Sequence, residues 1–94
     1  MSAYIIARIT VTEPEDYSTY ARQTVALAER FGGRFLVKGG APTALEGNSP
    51  DRHVIIEFSD RETALAWYNS DDYRRILPIA LSSSNRDIVV VDGI

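Results

Sequence analysis

Three observations predict an α+β chain of the ferredoxin-like plan, βαββαβ, with one four-stranded antiparallel sheet and its helices on a single face. Stretches rich in β-branched and aromatic residues alternate with stretches of three- and four-residue apolar spacing, in the order strand, helix, strand, strand, helix, strand. Helix-capping sequences stand where a strand gives way to a helix. Two of the strands also carry an apolar set alternating with a mixed one, the pattern of a sheet covered on one side.

The first strand runs from Tyr4 to Val11 and ends at Thr12-Glu13-Pro14-Glu15, a capping box in which Thr12 caps and Glu15 answers. Pro14 falls in the first helical turn, where its missing N–H costs nothing, and Glu13, Glu15 and Asp16 complement the helix dipole. In the helix that follows, Tyr17, Tyr20, Ala21, Thr24, Val25, Leu27, Ala28 and Phe31 share one face, and Gly32-Gly33 stops it. Arg34 to Lys38 is a short second strand. Gly39-Gly40-Ala41-Pro42 then turns the chain into a loop that includes a short strand at Thr43 to Glu46 and ends in a turn at Gly47 to Asp51. His53 to Phe58 is the third strand, and Ser59-Asp60-Arg61-Glu62 repeats the capping logic for a helix through Ala64, Leu65, Trp67 and Tyr68. Ser70 caps a further helical segment with Tyr73, Ile76, Leu77, Ala80 and Leu81 on its apolar face, which Pro78 kinks or ends. Ser82 to Asn85 reads as a polar loop and Arg86 to Val91 as the last strand. This plan implies the sheet order 4-1-3-2, with the strands around Ile6 and Ile55 as central neighbours.

Size and composition narrow the function classes. The 94 residues make a single domain, residues 1–94, burying on the order of 60–70% of its unfolded surface. A net charge of −3 and no basic cluster larger than Arg74-Arg75 argue against nucleic acid and anionic membranes as partners. The chain has no cysteine, which removes disulfides and thiolate chemistry, and its one histidine, His53, makes a metal or heme site unexpected. No cofactor is expected. The start of the chain reads as a strand and not as a signal peptide, and no apolar run spans a membrane, so the expected location is cytoplasmic.

In the first strand Ile5, Ala7, Ile9 and Val11 alternate with Tyr4, Ile6, Arg8 and Thr10; in the third, Val54, Ile56 and Phe58 alternate with His53, Ile55 and Glu57. The wholly apolar set faces the helices. The mixed set is left uncovered, too apolar for water and too charged for a dry core. A second copy of the sheet packed against it, with Arg8 and Glu57 satisfying one another, is the simplest cover, and a homodimer through this open face is expected. The alternative is a monomer with a wetted sheet face.

Several segments together resemble the family known as domain of unknown function 1330. They are the helix start from Glu15-Asp16-Tyr17 to Tyr20, Gly39-Gly40, the strand His53 to Phe58, the run Ala66 to Tyr73, and Val91-Asp92-Gly93. The most specific is Trp67-Tyr68-Asn69-Ser70-Asp71-Asp72-Tyr73. The resemblance implies a ferredoxin-like protomer of the dimeric α/β barrel superfamily, which includes heme-free monooxygenases, muconolactone isomerases and chlorite-dismutase relatives. This chain departs from the family pattern at Ala80, where members often carry an arginine, so any role of that arginine does not carry over.

Two groups of residues are candidate sites. Tyr17, Tyr20, Trp67, Tyr68 and Tyr73 form an aromatic wall between helices and sheet, able to enclose a small organic molecule or else to serve as core. His53, Glu57 and Arg8 form the one acid–base constellation, or else Arg8 and Glu57 are a structural cross-strand pair in the dimer interface and His53 stands at the strand end beside the Asp51-Arg52 turn. The leading functional expectation is small-molecule binding in a cleft between helices and sheet. The alternatives are a cofactor-independent oxygenase or isomerase and a non-catalytic assembly module.

Overall fold

The computed structural model describes residues 1–94. The elements are β1 (Ala3–Val11), α1 (Pro14–Arg30), β2 (Arg34–Gly39), β3 (Arg52–Phe58), α2 (Arg61–Tyr68), α3 (Asp71–Ser83) and β4 (Ser84–Asp92). The four strands form one antiparallel sheet in the order β2-β3-β1-β4, the ferredoxin-like arrangement read in the opposite direction. The slab measures 31 × 30 × 16 Å, the thickness of one helical layer on one sheet.

Strand parity sorts the two faces as the sequence implies. Ile5, Ala7, Ile9, Val54, Ile56 and Phe58 are buried against the helices. Tyr4, Ile6, His53, Ile55 and Glu57 are half-buried on the other side, and Arg8 and Thr10 are exposed there. Ile6 lies between Ile55 and Val89 in the ladder, so the middle of the open face is apolar. β2 has a bulge between Phe35 and Val37, which sends Phe35 and Lys38 to the helix side opposite Ile56 and Val54.

The helices show which capping signals operate. Ser70 accepts from the Tyr73 N–H at 3.2 Å and donates to the Trp67 carbonyl at 2.8 Å, joining α2 to α3 through one hydroxyl. Such a cap stabilises by about 1 kcal/mol. Asp60, not Ser59, caps α2, accepting from the Thr63 N–H at 2.7 Å, and these bonds hold its carboxyl below the usual range. The expected Thr12 box does not form. Glu13 occupies the cap position without a side-chain bond, because the Thr12 and Glu13 amides both donate to the Ser83 carbonyl, at 2.9 and 3.0 Å. That contact ties the start of α1 to the end of α3.

Three further expectations are corrected. Ser82 to Asn85 is not a loop: α3 runs through Pro78 to Ser83 and passes straight into β4. The hydroxyls of Ser83 and Ser84 are satisfied internally, bonding the carbonyls of Ile79 and Ala80 at 2.6 Å each. Leu81 is exposed, and Ser83 takes its place on the buried face of α3. No strand forms at Thr43 to Glu46, where the chain from Gly40 to Ser49 is an exposed loop. Ala80 lies on the apolar face of α3 as expected and is fully buried in the core.

Candidate functional site

Between α1 and the sheet lies a narrow cleft with an apolar floor made by Ile5, Ala7, Ile9, Val54 and Ile56. These are the inward residues of β1 and β3, placed side by side by the Ala7–Val54 and Ile5–Ile56 register. Tyr17, Tyr20, Ala21 and Thr24 line it from α1, Trp67 from α2 and Tyr73 from α3. As it stands the cleft offers about 30 Å³ to the centres of water-sized spheres, room for one or two waters.

The aromatic residues form a connected set. The Trp67 ring centroid lies 4.5 Å from that of Tyr73 and 5.6 Å from that of Phe58, and the Tyr20 and Tyr73 rings meet edge to face at 6.1 Å. Tyr68 is the exception among the expected wall residues. It packs behind the wall, 6.3 Å from Trp67 and 5.3 Å from Tyr73, with the Arg74 guanidinium over its ring, and does not line the cleft.

One end of the cleft carries a polar group that the sequence did not single out. The hydroxyls of Tyr20 and Tyr73 are 2.6 Å apart, and Arg86 donates to both, to Tyr20 at 3.0 Å and to Tyr73 at 2.9 Å. Its guanidinium carbon stands 5.0 Å from the Tyr20 ring centroid. Arg86 arrives here because β4 alternates Arg86, Ile88 and Val90 toward the helices, with Arg86 opposite Ile9. An arginine at an inward position of an otherwise apolar alternation is the signal by which the sequence announces it.

Burial pushes the Tyr20 hydroxyl far above the usual phenol range, reinforced by Tyr73 and opposed by Arg86. Burial alone would lower the Arg86 value, but the two phenol oxygens outweigh it and hold the guanidinium above its ordinary range. Near neutrality Tyr20 is a neutral phenol beside the Arg86 cation. Tyr20 therefore accepts from Arg86, shares a proton with Tyr73 and does not act as a base.

Two other cations line the cleft, Lys38 and Arg52. Each stands over an aromatic ring, Lys38 5.9 Å from the Phe35 centroid and Arg52 5.7 Å from that of Tyr17. Gly39 makes room for Arg52: with a φ of 87° it turns where other residues are strained, and a Cβ there would lie 2.9 Å from the Arg52 guanidinium. The lining contains no Asp, Glu or His.

The acid–base candidates lie on the opposite face of the sheet. His53 faces Arg8 across the β1–β3 ladder, whereas Glu57 faces Tyr4. Glu57 accepts from the Tyr4 hydroxyl at 3.1 Å and from Arg34 at 2.9 Å, and Arg8 reaches the Asn48 carbonyl at 3.4 Å. Within the protomer Arg8 and Glu57 do not pair, because they share a face but not a register position. No three His, Asp or Glu side chains stand close enough together to hold a metal ion. No helix is long and apolar enough to cross a membrane.

Comparisons with known proteins bear on this geometry. The family model described as Domain of unknown function (DUF1330) matches residues 2–94. No curated protein matches by sequence. Among solved structures, a protein of unknown function from Rhodopseudomonas palustris is similar with a TM-score of 0.82 at 15% identity, over 99% of this chain and 82% of that one. A dimeric ferredoxin-like protein of unknown function from Jannaschia sp. has a TM-score of 0.81 at 11% identity, over 99% and 100% of the two chains. SnoaB, a cofactor-independent oxygenase from Streptomyces nogalater, has a TM-score of 0.69 at 14% identity, over 99% and 93%. At these identities the likeness is one of fold.

Proposed function

The chain belongs to the DUF1330 family, and from that premise we propose that it is a homodimer whose protomers each bind a small organic molecule in the cleft between α1 and the sheet. The observation that carries the binding role is the convergence of the Tyr20–Tyr73–Arg86 cluster on an apolar cleft. A few placed polar groups over an apolar floor are the usual composition of a ligand site. The narrow volume means that a ligand enters by outward movement of side chains at the mouth.

The dimer reading rests on the uncovered apolar centre of the sheet and on the dimeric state of similar folds. A slab face of 31 × 30 Å has room for the roughly 800 Å² per partner that a stable interface buries. The oxygenase or isomerase reading finds less support. The cleft lining offers no carboxylate or imidazole base, and His53 lies on the other face of the sheet.

Thermal-shift screening with small aromatic compounds tests the binding role. A ligand at about 100 times its dissociation constant stabilises the native state by about 2.7 kcal/mol, a shift of many degrees in a domain of this size. Ala21→Leu, which places a larger side chain in the lining, is expected to abolish the shift, and His53→Ala to preserve it. A broad library that leaves the wild type unshifted, or shifts Ala21→Leu equally, contradicts the proposal.

A further inference from the structure

We infer that the ligand of the cleft is an organic anion, an apolar or aromatic body bearing a carboxylate, with that carboxylate held at the Tyr20–Tyr73–Arg86 end. The inference deepens the binding role proposed above and rests on it. It follows from counting donors, acceptors and charges around the cleft.

The hydrogen-bond count leaves an excess of donors. In the tyrosine pair one hydroxyl proton lies between the two oxygens, and both oxygens accept from Arg86, so the second hydroxyl proton has no acceptor within the cluster whichever way the pair is oriented. The Trp67 indole Nε1 and the Arg52 Nε are also buried without an acceptor, and both residues line the cleft. Trp67 is 2% exposed, so solvent does not satisfy its N–H. Buried polar groups left unpaired cost about 1–3 kcal/mol each, and a ligand that supplies only acceptors removes that cost.

The charge count points the same way. The protein carries a net charge of −3, yet the cleft lining holds three cations and no carboxylate. The four ion pairs of the protomer join Arg30, Arg34, Arg61 and Arg75 to Asp72, Glu57 and Asp92, and none of them uses Lys38, Arg52 or Arg86. Arg86 is half-buried and its side-chain partners are two tyrosine hydroxyls and no carboxylate, so it lacks the anion that a partly desolvated guanidinium ordinarily meets. A carboxylate matches a guanidinium fork and accepts from a phenol at the same time. The floor of Ile5, Ala7, Ile9, Val54 and Ile56 and the faces of Phe35, Tyr17 and Trp67 suit an apolar or aromatic body and offer nothing to a sugar or another polyol.

Calorimetric titration of the full chain with two matched pairs, benzoate against benzamide and 2-naphthoate against 2-naphthamide, tests the inference on the wild type. Each acid is expected to bind at least about tenfold more tightly than its amide, the scale of one charge-assisted hydrogen bond. The advantage should shrink as salt is raised. In Arg86→Met the acids should lose that advantage while the amides change little. Amides that match or exceed their acids overturn the anion inference and leave the cleft as a ligand site. Absence of saturable binding by either class, with the broader library also silent, overturns the binding role itself. The wild-type comparison decides the matter even where Arg86→Met does not fold.

Discussion

Trp67→Ala is expected to lower the stability of the protomer by about 3–5 kcal/mol, the range for removing a buried large aromatic side chain. The indole is 2% exposed and fills the space between α2, α3 and the sheet, within 5.6 Å of Phe58 and 4.5 Å of Tyr73 between ring centroids. Its removal leaves a void bounded by rings that cannot collapse far, since Tyr73 is held through its hydroxyl to Tyr20 and Arg86. In a domain whose total stability is about 5–15 kcal/mol, that loss takes the protein close to unfolding. Trp67→Phe is expected to cost much less, because it keeps an aromatic ring in place and removes an N–H that bonds nothing within the protomer. Urea denaturation followed by circular dichroism measures both. A loss below about 1 kcal/mol for the alanine variant would show that the aromatic set is not part of the core.

Placing a charge at the centre of the open sheet face is expected to give the second large effect. Ile55 lies opposite Ile6 on β3, half-buried in the protomer and facing away from the helices. In a face-to-face dimer, Ile55→Asp would bury two unpaired carboxylates in the interface, a desolvation cost of several kcal/mol. Sedimentation equilibrium at micromolar concentration is expected to give twice 10.5 kDa for the wild type and 10.5 kDa for the variant. Val89→Asp, changing a side chain that is 51% exposed in the protomer, should act in the same direction with less risk to folding. A wild-type mass of 10.5 kDa, or variants that remain dimeric, would contradict the proposed interface.

The fold was legible because its signals are local. Alternation within eight residues set the faces of β1 and β3, and three- and four-residue spacing set the faces of the helices. The errors fall where distant groups intervene. Thr12 has the sequence of a cap, but the amides at Thr12 and Glu13 are taken by the carbonyl of Ser83, at the far end of another helix. Ser82 to Ser84 has the composition of a loop, yet hydroxyls that bond back to the preceding turn let serines finish a helix inside the core.

The candidate site was half legible for the same reason. Tyr17, Tyr20, Trp67 and Tyr73 could be grouped from helical spacing and the break at Ser70, and all four line the cleft. Tyr68, one position from Trp67, turns away from it. Arg8, His53 and Glu57 were placed on the correct face by parity, but parity does not give register, and the register separates Arg8 from Glu57. Arg86 is not legible from spacing, because its partners lie 66 and 13 residues away in the chain, where no local pattern connects them. Its position in an inward apolar alternation was the available clue.

The role of the cleft is tested most directly by one resonance. The chain has a single tryptophan, so the Trp67 indole N–H gives one isolated cross-peak in a proton–nitrogen correlation spectrum. That N–H is buried without an acceptor, in a residue that lines the cleft. Titration with 2-naphthoate is expected to move this peak strongly and saturably downfield as the N–H gains an acceptor, ahead of any change in the amides of His53 and Ile55 on the open face. Saturable binding that leaves the indole peak in place while open-face amides shift would contradict the assignment of the cleft as the ligand site.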